Sequence, residues 1–201
     1  MSDDTVARRG LLAGLALLTP ARVLAAPPNP RVRVRTSKGD FTLELEAAKA
    51  PLTCANFLRY VDAGKYDGGD FFRATHPPGL PDQGTLVGEQ NRRARPFPVV
   101  AHEPTSRTGL RHVSGTISLG RFAPGTATSD FFICLGPQPG YDANPRGKGD
   151  NLGFAAFGRV AAGMDVVRRI HRLPADGRSP YVVQKGQWLR EPVTILGMKR
   201  V

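Results

Sequence analysis

This sequence contains no apolar run of 18 residues, and its mean hydropathy of -0.26 leaves no room for a polytopic membrane protein. Cysteine is scarce as well. Cys54 and Cys134 are the only two in 201 residues, too few for a disulfide scaffold, and without a CxxC pair they suggest no zinc knuckle. His76, His102, His112 and His171 include no i, i+4 pair that would place two ligands on one helix face, so no metal site is expected. A GxSxG elbow is missing too; Ser118 lies in a strand-like run with nothing local that marks a base beside it. The glycine-rich stretch Gly147 to Gly153 matches neither GxGxxG nor GxxxxGK(S/T), and it reads as a flexible surface loop. No nucleotide or other cofactor is expected. Acidic residues are outnumbered, 17 against 28 Lys+Arg, for a net charge of +11. Such a field attracts nucleic acid or anionic lipid, but the arginines scatter apart from Arg31, Arg33, Arg35 and Arg92, Arg93, Arg95. The first trio alternates along one strand face, as solvated residues do, so no nucleic-acid partner is expected.

What is abundant is glycine and proline, 23 and 18 residues without a repeat period. That composition suits a β protein with short strands and many turns. The length fits one globular domain with a short appendage. Residues 1–25 read as a cleavable export signal: Arg8 and Arg9 precede the apolar stretch Gly10 to Leu18, and Val23-Leu24-Ala25 suits a signal peptidase. The paired arginines resemble a twin-arginine signal, with a Sec signal as the alternative. Residues 26–30 then form a proline-rich lead-in to a domain spanning 31–201. These features place the mature chain outside the cytoplasm, in the periplasm or otherwise exported, without stable membrane insertion. Cys54 in a helix and Cys134 in an apolar strand are expected to be buried free thiols.

Val32 and Val34 alternate with arginines, and after the turn Thr36 to Asp40, Phe41, Leu43 and Leu45 alternate with polar residues. This pattern predicts a hairpin with one buried face. Pro51 and Gly64 frame a helix over about Leu52–Ala63, with Leu52, Ala55, Leu58 and Val61 as its apolar stripe. Further strands are predicted at Asp70–Ala74, Pro98–Ala101, Gly115–Leu119, Asp130–Leu135, Ala155–Val160 and Pro192–Val201, with a second helix over Ala162–Ile170. The mostly-β pattern fits a closed antiparallel barrel with helical caps.

Two segments stand out, Phe71-Phe72-Arg73 followed by Pro78 to Gly84, and Gly115 to Arg121 followed by Ala127 to Ile133. Strand alternation puts Phe71 and Arg73 on one face and separates Phe131 from Phe132, setting a cation beside aromatic surface. By residue type alone, an arginine snorkelling over a barrel rim above ordinary core phenylalanines fits equally well.

With KGDFTLEL, APLTCANFLRYVDAGKYDG, FFR, PPGLPDQG, GTISLGR, ATSDFFI and FAAFGRVAAGMDVVRRI in this order, the chain resembles the cyclophilin-type peptidyl-prolyl cis-trans isomerases from about Val32 to Val201. It looks closest to exported bacterial members. The resemblance implies an eight-stranded antiparallel barrel capped by two α-helices and catalysis of Xaa-Pro rotation in exported polypeptides. It implies no metal, no cofactor and no covalent intermediate, and a monomer is the simplest expectation. It places the catalytic arginine at Arg73, the glutamine that contacts substrate backbone at Gln83 and the aromatic floor of the proline pocket at Phe132. Further substrate contacts fall at Leu80, at Leu119, Gly120 and Arg121 on the strand that pairs with substrate, at Asp130 and at Phe154. The family's tryptophan position falls at Gly140 or Tyr141. Phe72, Pro81, Thr85 and Asp130 depart from the usual residues; a carboxylate at 130 replaces an amide and is available to pair with Arg73. The competing functional class is a non-catalytic proline-binding or chaperone-like module on the same scaffold.

Overall fold

The computed structural model describes residues 28–201, so the predicted export signal and the first part of the lead-in lie outside the described residues. The strands are β1 (Arg31–Thr36), β2 (Gly39–Leu45), β3 (Asp70–Thr75), β4 (Gly84–Glu89), β5 (Thr116–Leu119), β6 (Phe131–Leu135), β7 (Ala155–Ala162) and β8 (Trp188–Arg200). They close into an antiparallel barrel in the order β1-β2-β7-β5-β6-β4-β3-β8. The helices are α1 (Pro51–Asp62), the single turn α2 (Thr105–Thr108) and α3 (Met164–His171). No helix among the described residues is long and apolar enough to cross a membrane.

The hairpin follows its alternation: Val32 and Val34 are buried and the three arginines exposed. Arg31 and Arg159 both donate to the Glu44 carboxylate, and those bonds hold its pKa below the usual range. Inside the barrel, Phe131 is a hub whose ring meets Phe57, Tyr66 and Phe71 edge-on at 5.5–5.7 Å between centroids. That is the geometry aromatic quadrupoles prefer. Helix α1 leaves the end of β2, while Val166 of α3 lies against Gly39 at its start, so the two longer helices sit at opposite ends of the barrel.

Three local expectations need correction. In α1, Leu52 and Ala55 are exposed, and the buried stripe is Cys54, Phe57, Leu58 and Val61. The buried polar residues Thr53 and Asn56 are carried by partners far along the chain. Glu103 accepts from the backbone and hydroxyl of Thr53 at 2.7 Å each and from the Leu52 backbone at 3.3 Å, capping a helix that has no capping side chain of its own. The Asn56 amide donates to the Thr128 carbonyl at 2.6 Å. Pro98–Ala101 is not a strand; it crosses α1, where Arg59 donates to the Pro98 carbonyl and the Phe97 N–H donates to the Tyr60 hydroxyl. The strand the sequence concealed is β4, because its glycines read as turn residues. Both are required by crowding: a Cβ at Gly84 would stand 1.7 Å from the Thr75 carbonyl oxygen, and one at Gly88 2.7 Å from the Phe131 ring. The third correction concerns β3. Phe71 pairs with Gly88 and Arg73 with Val87, so Phe72 is an extra residue in the ladder.

Both cysteines are buried and free, and desolvation pushes each thiol up to about 12. The 147–153 loop is a surface loop anchored by Asp150, which bonds Arg121 through both oxygens.

Candidate active site

The bulge in β3 shapes the site. Alternation alone would send Arg73 to the same side as Phe71, into the core. With Phe72 inserted, Phe71 and Ala74 point inward while Phe72, Arg73 and Thr75 all line an open cleft of about 400 Å³ on the outer wall. Bulges commonly re-aim a side chain in this way beside functional sites. The same division recurs in β6, where Phe131 fills the barrel and Phe132 faces the cleft.

Phe132 sits at the bottom of an aromatic well. Tyr141 and Phe154 meet it edge-on at 5.4 and 5.3 Å, and His112 stacks on it at 5.9 Å. Burial raises the Tyr141 hydroxyl pKa, so that group stays protonated. Its neighbour Phe154 is held by Arg121, whose guanidinium lies 5.2 Å from the ring centroid while donating to the Gly153 carbonyl and the Asp150 carboxylate. The Arg121 side chain therefore braces the wall, with its donors committed to the loop.

Behind Phe132 is a chain of bonds that sequence reasoning missed. The Asp142 carboxylate accepts from the His112 backbone N–H at 3.0 Å and lies 2.8 Å from Nδ1. An acceptor-only carboxylate at that distance fixes the ring proton on Nδ1, so Nε2 accepts from the Ser118 hydroxyl 2.9 Å away. A base thus does stand beside Ser118, supplied by the loop before β5. Both side chains are fully buried, and burial lowers the His112 pKa. The chain supports the floor from inside.

Of the positions singled out in the sequence, Arg73, Phe132, Gly120, Arg121, Asp130, Tyr141 and Phe154 meet in the cleft. Leu80, Gln83 and Leu119 do not line it. Leu80 is on the turn before β4 with 45% of its surface exposed, and Leu119 points into the barrel at 1%. Gln83 lies against Gly136, because the β3–β4 register sets Val87 opposite Arg73 and leaves Gln83 four residues away, roughly 13 Å along the strand. Thr85 and Val87 fill that part of the wall. Asp130 does not pair with Arg73: it accepts from the Ser129 hydroxyl at 3.2 Å, and burial raises its pKa. Arg73 instead donates through Nε and Nη2 to the Gln187 side-chain oxygen, at 2.9 and 2.5 Å. Burial also pulls the Arg73 pKa below its usual value, though guanidinium stays charged in proteins. Gln187 and the lone tryptophan, Trp188, packed at a tilt against Phe72 with 4.9 Å between centroids, come from the start of β8 and the residue before it, for which the sequence offered no motif. Among the described residues, no group of three His, Cys, Asp or Glu side chains is placed to hold a metal ion.

A cationic side chain above an aromatic well, on the outside of an eight-stranded barrel, narrows the choice of family. The family model described as cyclophilin type peptidyl-prolyl cis-trans isomerase matches residues 31–200. The chain belongs to that family. It is a cyclophilin-type peptidyl-prolyl cis-trans isomerase, similar to peptidyl-prolyl cis-trans isomerase A of Dickeya dadantii, with 33% identity across 90% of each chain. A peptidyl-prolyl cis-trans isomerase of Acinetobacter baylyi is 32% identical over 79% of each chain. The cyclophilin barrel is also seen in a Cryptosporidium parvum cyclophilin-type isomerase at a TM-score of 0.63 and 19% identity, covering 86% of this chain and 98% of that one. A second structure of that protein, in the presence of the dipeptide Ala-Pro, aligns at a TM-score of 0.60 and 20% identity over 84% and 96%.

Proposed function

We propose that Arg73 and Phe132 form the reaction centre of an exported prolyl isomerase that turns Xaa-Pro bonds in polypeptides outside the cytoplasm, acting as a monomer. The uncatalysed rotation is slow because it breaks C–N resonance, a barrier of roughly 18–20 kcal/mol. In the twisted state the nitrogen becomes pyramidal and basic. A donor aimed at that nitrogen binds the twisted state in preference to the planar one, and each 1.36 kcal/mol of that preference is tenfold in rate. The observation that carries the reading is the combination at one site: Arg73 spends two N–H groups on Gln187, leaving the Nη1 edge without a partner among the described residues, beside the well floored by Phe132. Guanidinium has five N–H donors, so three remain for substrate.

The aromatic well holds the pyrrolidine ring, and the flanking chain runs along the wall past Gly120 and Asp130, so one side of the bond rotates against a fixed other side. Rotation makes and breaks no covalent bond, and the reading requires no metal, cofactor or covalent intermediate. The paired arginines and apolar run of residues 1–25 support export. The test is exchange NMR on a panel of Xaa-Pro peptides with the wild type and the Arg73→Ala variant. Loss of about 100-fold or more in kcat/KM, the scale of removing one transition-state donor, is the expected result. Full activity in the folded variant would remove Arg73 from the chemistry, and no acceleration by the wild type would leave a proline-binding module. Fractionation of cells carrying the full chain tests export, with retention in the cytoplasm as the adverse outcome.

A further inference from the structure

The fixing of Arg73 rests on a part of the chain that is remote in sequence. No side chain of the neighbouring strand β4 bonds it: its cross-strand partner is Val87, whose side chain has no acceptor. Of the two acids that line the cleft, Asp130 accepts from the Ser129 hydroxyl and Glu89 from Arg92. The side-chain acceptor on Arg73 is Gln187, 114 residues away in sequence. Gln187 is itself tied down by its backbone, since its carbonyl accepts from the Ala74 N–H at 2.8 Å and its N–H donates to the Gln184 carbonyl at 3.1 Å. Gln184 is fixed in turn, as its side-chain oxygen accepts from the Trp188 indole at 3.0 Å. Trp188 pairs with Arg73 in the β3–β8 ladder and packs its ring, tilted, against Phe72, the bulge residue. The segment entering β8 is therefore latched to β3 on both sides of the arginine.

A free arginine side chain samples many rotamers, and placing its fork for a reaction costs conformational entropy unless the protein has already fixed it. One oxygen that accepts from both Nε and Nη2 fixes the plane of the guanidinium and its rotation within that plane. We propose that Gln187 is a positioning residue for isomerisation: its side-chain oxygen clamps one edge of Arg73 and thereby aims the Nη1 edge at the proline well. The proposal rests on the reading of Arg73 as the donor. Gln187 does not line the cleft, so it acts through Arg73 and not on substrate.

The test compares wild type with Gln187→Leu, Gln187→Glu and Arg73→Ala, measuring kcat/KM by exchange NMR, peptide affinity by titration, and the Arg73 Nε–H resonance. The leucine variant keeps similar bulk without an acceptor; the glutamate variant keeps the reach and the acceptor. Expected are a loss of about tenfold or more in kcat/KM for Gln187→Leu, peptide affinity within twofold of wild type, and loss of the protected Nε–H signal. Gln187→Glu is expected to keep the signal and stay within about threefold of wild type. If Arg73→Ala is inactive while Gln187→Leu stays within twofold, the clamp is refuted and the role of Arg73 stands. Full activity in Arg73→Ala overturns both. A glutamate variant that keeps the resonance but falls as far as the leucine variant also overturns the clamp. Should Gln187→Leu fail to fold, hydrogen exchange of Nε–H in wild type decides, with exchange at the free-arginine rate refuting the clamp.

Discussion

Lowering the pH should destabilise this protein through the histidines it buries in neutral form. His112, stacked under Phe132, and His171, whose Nε2 lies 3.0 Å from the Thr75 carbonyl, both have pKa values lowered mainly by burial. A group with a depressed folded-state pKa lets the unfolded chain take up protons first. The stability is therefore fully present above the unfolded value of about 6.5 and is lost as pH falls towards the folded value. Between pH 7.5 and 5.5, a histidine that stays neutral in the fold loses RT ln(1 + 10), less a small residue, or about 1.4 kcal/mol. The two together set an upper bound of about 2.7 kcal/mol. Asp130 and Glu89 oppose this trend, because burial raises both carboxyls and their cost eases as they protonate at lower pH. Urea denaturation at the two pH values, on wild type and His112→Asn, isolates the first histidine. The variant's pH-dependent loss should be smaller than the wild type's by about 1.4 kcal/mol at most. Equal losses in the two proteins would show that His112 takes up its proton in the folded state, and the account of the floor as a neutral Asp142–His112–Ser118 chain would fail.

Glu103→Ala removes three bonds at the start of α1, two of them at 2.7 Å, and leaves buried donors unsatisfied. The expected cost is about 2–4 kcal/mol, seen as a Tm lower by roughly 5–12 °C, with kcat/KM of the folded fraction unchanged; a shift under 1 °C would refute the remote cap. Cys54 and Cys134, buried with pKa values of about 12, should react with a thiol reagent at pH 8 only at the rate of unfolding. Rapid labelling of either in native buffer would contradict their placement.

The sequence discloses local order well and distant pairing poorly. The β1–β2 hairpin is readable because its buried and exposed residues alternate without interruption. The α1 stripe was misread because Thr53 and Asn56 are buried only by virtue of partners 50 and 72 residues away. Strand β4 was hidden by glycines kept small by crowding, and the prolines around 96–104 mark a crossing segment instead of a strand. At the site, Arg73 and Phe132 were legible through the ordered motifs, yet simple alternation would have turned Arg73 into the core. Only the ladder shows the extra residue that turns it outward. The resemblance puts a substrate-contacting glutamine at Gln83, but register moves it out of the cleft, and the amide that meets Arg73 comes from a segment without a motif.

Phe131 and Phe132 are adjacent in the chain, yet one completes the packed interior and the other floors the cleft. The wall between stability and recognition is thus one strand thick. Outward positions on β3, β4 and β6 can change the peptides this enzyme accepts while the inward set keeps the barrel closed. Selection for new clients can therefore act on alternate residues of the same strands, with the bulge at Phe72 as the point where that alternation is shifted by one. Deleting Phe72 would leave Phe71 inward and Arg73 outward in plain alternation, but would take away the ring that packs against Trp188.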